Sequence, residues 1–203
     1  FIPQLTRCRT SILQLISIFT LFIACQISPL QSQTLCDDPV ACNFTPSASQ
    51  CIRVEAIASH SGMLGSEDLT GMTTYRVFAV LENTDDVLSA IIGDSEYQTF
   101  FNSSTSFFQH PAGSATPNTI NPPFFQFTPA LEFDSWVTIG IDQAPEGDEG
   151  SISLIEDSSS PWIAPFEAGN NLDISSAEGG GWYSFIGDSN TISGADNEVR
   201  VGQ

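Results

Sequence analysis

Two histidines, His60 and His110, are the residues from which nucleophilic catalysis would start. A Ser-His-Asp relay needs a nucleophile beside the histidine and a carboxylate that orients the imidazole ring. Serines are abundant, but the chain contains no Gly-x-Ser-x-Gly nucleophile elbow. His60 lies in a segment rich in Ser and Gly and His110 in one rich in Pro, so we interpret both as loop histidines. An extracellular hydrolase that uses His110 is an alternative.

Carboxylates are the second catalytic possibility, because paired Asp and Glu side chains carry out glycoside hydrolysis. Four acids on or near predicted strands could serve in this way: Glu55, Glu132, Asp134 and Glu167. With 24 Asp and Glu residues in the chain, however, a pair of acids has little diagnostic value. A hydrolase with loop carboxylates is therefore an alternative, and the sequence favours a protein without catalytic activity.

Oxygen-bearing side chains near the carboxyl terminus have the chemistry of calcium ligands. Calcium takes oxygen ligands from carboxylates, amides and backbone carbonyls. Asp188 with Asn190, and Asp196 with Asn197, form two such pairs, and a glycine precedes each pair. Their spacing does not match the 12-residue EF-hand loop. We predict that these four residues are candidate ligands of a structural calcium ion, with ordinary solvated turns as the alternative.

Aromatic side chains could form a platform for sugar rings, because they combine a flat apolar face with a polar tip. Trp162 lies beside Pro161, and Trp182 follows three glycines, so both are expected near loops and exposed. Together with Tyr183 they are the predicted ligand-binding residues. Trp136 lies inside an apolar segment and is expected in the core, and core packing is also the alternative for the other aromatic residues.

The charge balance excludes several classes of partner. The chain has 24 acidic and five basic residues, no lysine and a formal net charge of -19. Binding to nucleic acids and to anionic lipids depends on Lys and Arg that neutralise phosphate groups, so neither partner is expected. An acidic surface keeps a protein dispersed and suits saline surroundings.

The first thirty residues resemble an export signal. Arg7 and Arg9 precede an apolar segment at residues 11–25, which is too short and too polar for a comfortable membrane span. We predict a signal peptide over residues 1–32, a secreted or surface-displayed protein, and no stable membrane span in the mature chain. The segment 22–25 is similar to a bacterial lipobox with Phe where Leu is usual, so lipoprotein processing is a second route.

Three cysteines remain after the predicted signal peptide, in a small segment at residues 33–51: Cys36, Cys42 and Cys51. An oxidising compartment favours one disulfide among them, with one thiol left over. The spacing does not show which pair forms. A zinc site would need a fourth ligand, and no histidine is near.

This segment also carries a resemblance to a known group of proteins. The run CDDPVACNFTPSA at residues 36–48, closing at Cys51, resembles a short cysteine-containing repeat in large secreted proteins of marine Bacteroidetes. Ser49 and Gln50 stand where that repeat has an Asp-Asp-Gly-Ser run. The following domain, with residues 74–78 and 134–140, looks like domains of such proteins. The resemblance implies a modular cell-surface or secreted protein and implies no enzyme activity.

From residue 52 to residue 203 the chain reads as short apolar segments separated by Gly, Pro, Asn and Ser, and helical periodicity is almost absent. This pattern predicts an all-β domain, a two-sheet β-sandwich of jelly-roll type. Thr73 to Leu81 and Val87 to Ile92 are predicted to form a hairpin across the polar turn between them. The predicted strands are 52–57, 73–81, 87–92, 97–101, 105–109, 124–127, 135–141, 151–155, 171–175, 182–186 and 198–201.

Taken together, the sequence predicts a secreted or surface-displayed binding or adhesion module. Its expected partners are extracellular glycans or surface proteins, and calcium would support the fold. The alternatives are the extracellular hydrolase described above and a structural spacer within a larger surface protein.

Overall fold

The computed structural model describes residues 33–34 and 51–203, with side chains from residue 52 onward. The predicted signal peptide at residues 1–32 lies outside the described residues. So do Cys36, Cys42 and the side chain of Cys51, on which the disulfide prediction depends.

Short strands are the main regular structure, and every strand pair in the sheets is antiparallel. The predicted all-β class is therefore confirmed. One α-helix, α1 (Ile163–Glu167), occurs within the described residues. The strands are β1 (Gln33–Thr34), β2 (Cys51–Ser59), β3 (Met63–Leu64), β4 (Glu67–Asp68), β5 (Thr73–Val80), β6 (Ala90–Gly93), β7 (Thr99–Phe101), β8 (Ser153–Ile155), β9 (Leu172–Ile174), β10 (Gly180–Tyr183) and β11 (Glu198–Gly202).

The largest sheet has four strands in the order β1-β2-β5-β11. Its central strand β5 alternates, so that Val77 and Ala79 face the core while Arg76 and Phe78 lie on the other side. Phe78 is opposite Arg53 of β2 and Arg200 of β11. This register aligns the two arginines across one ring.

A second sheet has three strands in the order β6-β10-β8, and two smaller ladders pair β7 with β9 and β3 with β4. In the three-stranded sheet Trp182 of β10 is opposite Ile91 and Leu154. These three side chains face the core, because Trp182 belongs to the buried cluster and the other two pack against it. The residues on either side of them in the strands, among them Ile92, Gly181 and Ile155, therefore lie on the outer face.

The hydrophobic core joins residues from both sheets and from the β7-β9 ladder. Ala79, Val199 and Val201 come from the four-stranded sheet, and Trp182 and Leu172 from the other strands. The core also includes Phe166 of helix α1 and apolar residues of the segment between residues 134 and 141.

That segment was predicted as a strand over residues 135–141, and it forms only a single bridge, between Val137 and Gly202. It is nevertheless deeply buried, with Val137, Thr138 and Ile139 all inaccessible. Its backbone hydrogen bonds do not follow one partner strand. The N–H groups of Trp136 and Thr138 donate to the last residues of the chain, whereas the N–H of Val137 donates to the backbone oxygen of Ala115. The predicted burial of this apolar segment is confirmed, but the predicted strand is wrong because the segment forms no continuous ladder.

Two further strand predictions are wrong. Residues 124–127 belong to a 3₁₀ helix, Pro122–Gln126, and its C-cap, since consecutive prolines have a fixed φ and no amide donor for a ladder. Residues 105–109 form no strand. The predicted hairpin is also wrong, because both edges of β5 are occupied by β2 and β11, and β6 pairs with β10 instead.

Among the described residues no helix has the length and apolarity that crossing a bilayer requires.

Candidate functional site

Trp162 and Trp182, predicted as exposed ligand-binding residues, are core residues. Their exposed fractions are 3% and 1%. Trp182 Nε1 donates to the backbone oxygen of Thr138 at 2.8 Å, and Trp162 Nε1 donates to that of Ile155 at 2.9 Å. The two rings lie 6.1 Å apart, centroid to centroid. The prediction of exposure is wrong for both, because strand β10 turns Trp182 into the core and Trp162 is buried at the start of helix α1.

Tyr183, the third predicted ligand-binding residue, is different, because side chains alternate along β10 and it points to the outer face. It is half-buried and packs edge-on against Phe185, with ring centroids 5.6 Å apart. Of the three predicted aromatics, the structure therefore places only Tyr183 where a ligand can reach it.

Around Tyr183 lies an exposed apolar surface, which we call the platform: Ile92, Ile155, Tyr183, Phe185 and Ile186. Its aliphatic members and Phe185 are between 54% and 81% exposed. They line a shallow groove of about 350 Å³. Scattered exposed apolar residues are ordinary on a protein surface, but a contiguous group is not.

Part of the groove is lined by bare backbone, at Gly181. Gly181 of β10 is opposite Ile92 on one side and Ile155 on the other. A Cβ on Gly181 would lie 2.1 Å from the backbone oxygen of Ile91, and its φ of 155° is rare for residues with side chains. Glycine is therefore required here, and the two isoleucines stand on either side of bare backbone.

A turn after β10 presents the rest of the platform. Asp188 Oδ2 accepts hydrogen bonds from the backbone N–H of Phe185 and from the hydroxyl of Ser184. These bonds hold the backbone while Phe185 and Ile186 project outward. Neither residue is among the predicted ligand-binding residues, because the predicted strand continues to Ile186. The useful signal was the Gly187-Asp188 pair, which is typical of a turn.

The surroundings of the platform are acidic. Asp94 and Glu96 follow β6, Glu156 and Asp157 follow β8, and Asp188 closes the turn. All three arginines of the described chain lie on the four-stranded sheet instead. The platform is thus an apolar area with carboxylates at its margin and no basic residue among those that line it.

The predicted calcium ligands Asp188 and Asn190 are engaged within the fold. Asp188 holds the turn described above. Asn190 is buried, its Nδ2 donates to the backbone oxygen of Ile139, and its Oδ1 accepts from the N–H of Gly150 at 2.8 Å. These bonds assign Asn190 to joining three segments rather than to holding an ion.

The second predicted pair, Asp196 and Asn197, lies at the end of a short 3₁₀ turn. Asp196 is exposed, and Asn197 has a left-handed backbone with φ 56°, as Asn tolerates at a turn end. In the part of the chain that the structure describes, no three Asp, Glu, His or Cys side chains converge as metal ligands. Asp188 and Asn190 are thus engaged in bonds of the fold, and the calcium prediction for Asp196 and Asn197 stays a prediction.

His110 has defined hydrogen bonds on both ring nitrogens. Nδ1 accepts from the N–H of Ala112 at 3.0 Å, so in the neutral ring Nε2 carries the proton and donates to Thr128 Oγ1 at 2.8 Å. A ring in this state cannot remove a proton from that hydroxyl. Because its partners are a backbone amide and a threonine, His110 does not form the contacts of a catalytic triad.

Of the four candidate carboxylates, those of Glu55, Asp134 and Glu167 are used in the fold, and Glu132 is exposed. Glu55 pairs with Arg53 at 3.1 Å, and Glu167 Oε1 accepts from the N–H of Ala115 at 3.0 Å. Asp134 is fully buried, and its Oδ1 accepts from the N–H of His110 at 2.7 Å while Oδ2 has no partner. Burial raises the pKa of Asp134 to about 7. Asp134 is not among the residues that line the groove at the platform.

Comparison of the chain with models of protein families, with curated proteins and with solved structures found no match.

Proposed function

We propose that this chain is a secreted or surface-displayed binding module that uses the platform to dock a partner protein. The observation that carries the proposal is a contiguous group, each member more than half exposed: Ile92 and Ile155 on the outer sheet face, and Phe185 and Ile186 in the turn after β10. Leaving such a group in water is unfavourable, by roughly 25 cal/mol for each Å² of apolar surface. A partner that covers the group recovers this free energy.

The composition of the platform favours a protein partner over a glycan. Sugar-binding sites combine an aromatic face with several placed hydrogen-bonding groups, because a sugar carries many hydroxyls. Here three of the five residues are isoleucine, and the side-chain hydrogen-bonding groups that line the groove are the hydroxyls of Tyr183, Ser89 and Ser184, of which Ser184 is buried and already donates to Asp188. An apolar centre with a charged margin is the usual anatomy of a protein interface.

Charge narrows the kind of partner further. The acids Asp94, Glu156 and Asp188 flank the platform, and the chain as a whole has a formal net charge of -19. A second copy would bring the same negative margin against this one, which costs several kcal/mol in like-charge contacts. We therefore propose a partner with an apolar centre surrounded by Lys and Arg.

The proposed compartment and architecture have separate support. Arg7, Arg9 and the apolar segment that follows support an export signal at residues 1–32, and the cysteine-containing run resembles segments of secreted Bacteroidetes proteins. The core that joins side chains of the four-stranded and three-stranded sheets supports a two-sheet sandwich of jelly-roll type. A disulfide among Cys36, Cys42 and Cys51 would be consistent with export.

The docking proposal can be tested by displaying random peptides, selecting binders to the full chain, and measuring their affinity for two variants. Phe185→Ser removes the largest platform residue. Phe127→Ser is the matched control, because Phe127 is 77% exposed but belongs to the segment after residue 122 and does not line the groove. We expect selected peptides rich in apolar and basic residues, with affinity at least tenfold weaker for Phe185→Ser and unchanged for Phe127→Ser.

Two outcomes would contradict the proposal. Equal losses in both variants would show that the peptides recognise any exposed phenylalanine. Binding of the full chain to a glycan array that depends on Tyr183 and Phe185, with no selectable peptide, would replace the protein partner by a sugar.

A further inference from the structure

The arginines of the described chain gather on one sheet face. Arg53 and Arg200 are both opposite Phe78, from the two sides of β5, and Arg76 lies two residues before Phe78 on the same face. The guanidinium carbon of Arg53 is 4.1 Å from the centroid of the Phe78 ring, and that of Arg200 is 5.7 Å from it. This positive cluster belongs to a chain with 24 acids, so carboxylates to neutralise it are plentiful.

Arg53 is fully engaged with carboxylates. Its Nε and Nη2 donate to the two oxygens of Glu198, and its Nη1 donates to Glu55 at 3.1 Å. Glu55 is directly opposite Arg76 in the β2-β5 ladder, where a cross-strand ion pair would be expected. The Glu55 carboxylate contacts Arg53 instead, so the cross-strand ion pair between Glu55 and Arg76 does not form.

Arg76 forms no ion pair with any described residue, and its buried Nε has no acceptor. Arg200 has one ion pair, Nη1 to Asp142 at 2.9 Å, and its Nε also lacks an acceptor. The Asp142 side chain is 51% exposed, so this pair is a weak surface contact. Burial lowers the pKa of Arg200, and the positive charge of Arg76 lowers it further, so the two guanidinium groups repel each other.

We propose that Arg76 and Arg200 together bind an oxyanion, a carboxylate or sulfate group, through their terminal guanidinium nitrogens. Planar guanidinium groups bind such anions with paired hydrogen bonds, and an anion between two of them removes their repulsion. Arg200 and Phe78 also line a shallow cleft of about 230 Å³, which gives solutes access to Arg200. Arg76 is not part of this lining, and the acids in it are Glu149 and Glu198, the second of which is bonded to Arg53. The site lies on the four-stranded sheet and is independent of the platform.

The anion has two possible sources with the same chemistry, a small free anion or an acidic group on a larger ligand such as a uronic acid. The formal charge of -19 repels anions at long range, so the site selects by local geometry rather than by attraction from a distance. Because screening by salt acts on that long-range term, the ionic strength has to be held constant in any test.

The arginine Nε–H signals in a nitrogen-15 NMR spectrum of the full chain provide a direct test. Arg76→Gln and Arg200→Gln assign their own signals by removing them. Titration with sodium sulfate, sodium acetate and methyl glucuronide is expected to shift the Arg76 and Arg200 signals in a saturable manner. Arg53, already bonded to Glu198, is the control within the same molecule and is expected to stay in place. In Arg76→Gln the Arg200 signal is expected to lose its saturable shift.

Asp142→Asn supplies a second variant at an exposed position, where folding is not at risk. Removing the competing carboxylate is expected to lower the anion concentration at half-saturation by up to about fivefold, the strength of a surface ion pair. Tighter binding of the glucuronide than of acetate assigns the site to a larger ligand, and equal binding assigns it to the free anion. Non-saturable shifts, or equal shifts at all three arginines, would overturn the proposal.

Discussion

Asp134 is a residue whose surroundings decide its chemistry. The turn from His110 to Gly113 wraps around its carboxyl group, and a Cβ on Gly113 would lie 1.8 Å from Oδ2. The carboxyl group is therefore enclosed by backbone on one side, and its Oδ2 has no hydrogen-bond partner. The backbone N–H groups of His110, Ser135 and Ser114 favour its ionised form, but burial outweighs them. Enclosure without a cation disfavours the ionised form, which explains why burial raises its pKa.

This shift makes stability depend on pH. With a folded pKa of about 7 and an unfolded value of 3.8, the folded state binds the extra proton between those values. The contribution of this proton to the free energy of unfolding is fully present below pH 3.8 and is lost as pH rises through about 7. The loss is on the order of 4 kcal/mol.

We therefore expect Asp134→Asn to flatten this part of the pH profile. The variant keeps an acceptor for the His110 N–H and cannot ionise. Thermal denaturation measures the melting temperatures of the variant and the natural chain at each pH. The difference, variant minus natural chain, is expected to increase as pH rises from 5 to 8. A constant difference over that range would show that Asp134 does not titrate there.

At the scale of elements, the three-stranded sheet builds the platform from alternation and one absent side chain. Trp182 fills the core while Tyr183 faces out, and Gly181 leaves the groove between Ile92 and Ile155 open. The same glycine also lets β10 approach β6 closely, because a Cβ at this position would overlap the backbone oxygen of Ile91.

We expect Gly181→Ala to unfold or displace β10. The added Cβ meets the Ile91 oxygen at 2.1 Å, and the backbone can move away only by breaking hydrogen bonds of the β6-β10 ladder. The free energy of unfolding should therefore fall by more than about 2 kcal/mol. Gly62→Ala is the control, because nothing lies within 4 Å of its Cβ, and a change within about 0.5 kcal/mol is expected. Denaturant unfolding measures both, and equal costs would contradict the close approach.

The strands were recognisable from sequence where one face is apolar, as in β2 and β5, whose observed bounds lie within two residues or so of the predicted ones. The strands that pair with them could not be predicted, since pairing depends on which strand edges remain unpaired after the whole chain has folded. The predicted hairpin failed for that reason. Of the candidate site, Tyr183 was identified, whereas Phe185 and Ile186 were missed because the end of β10 at Tyr183 cannot be read from the apolar run.

For the molecule as a whole, charge sets the response to solution conditions. A formal net charge of -19 causes self-repulsion in the compact state, and added salt screens it. The acids do not gather into a ligand set for a divalent ion within the part of the chain that the structure describes.

We accordingly expect the melting temperature to rise with sodium chloride and to be indifferent to a chelator. Calcium chloride and sodium chloride at matched ionic strength should stabilise the chain to a similar degree. Saturable stabilisation by calcium alone, reversed by the chelator, would contradict this expectation and support the predicted calcium site.

The most direct test of the central proposal is amide hydrogen exchange of the full chain with and without a peptide selected for binding. If the platform is the docking surface, exchange should slow in β6, β8, β10 and the following turn at residues 184–187. Protection confined to the four-stranded sheet, or to residues 122–128 around Phe127, would place the binding surface elsewhere and contradict the account.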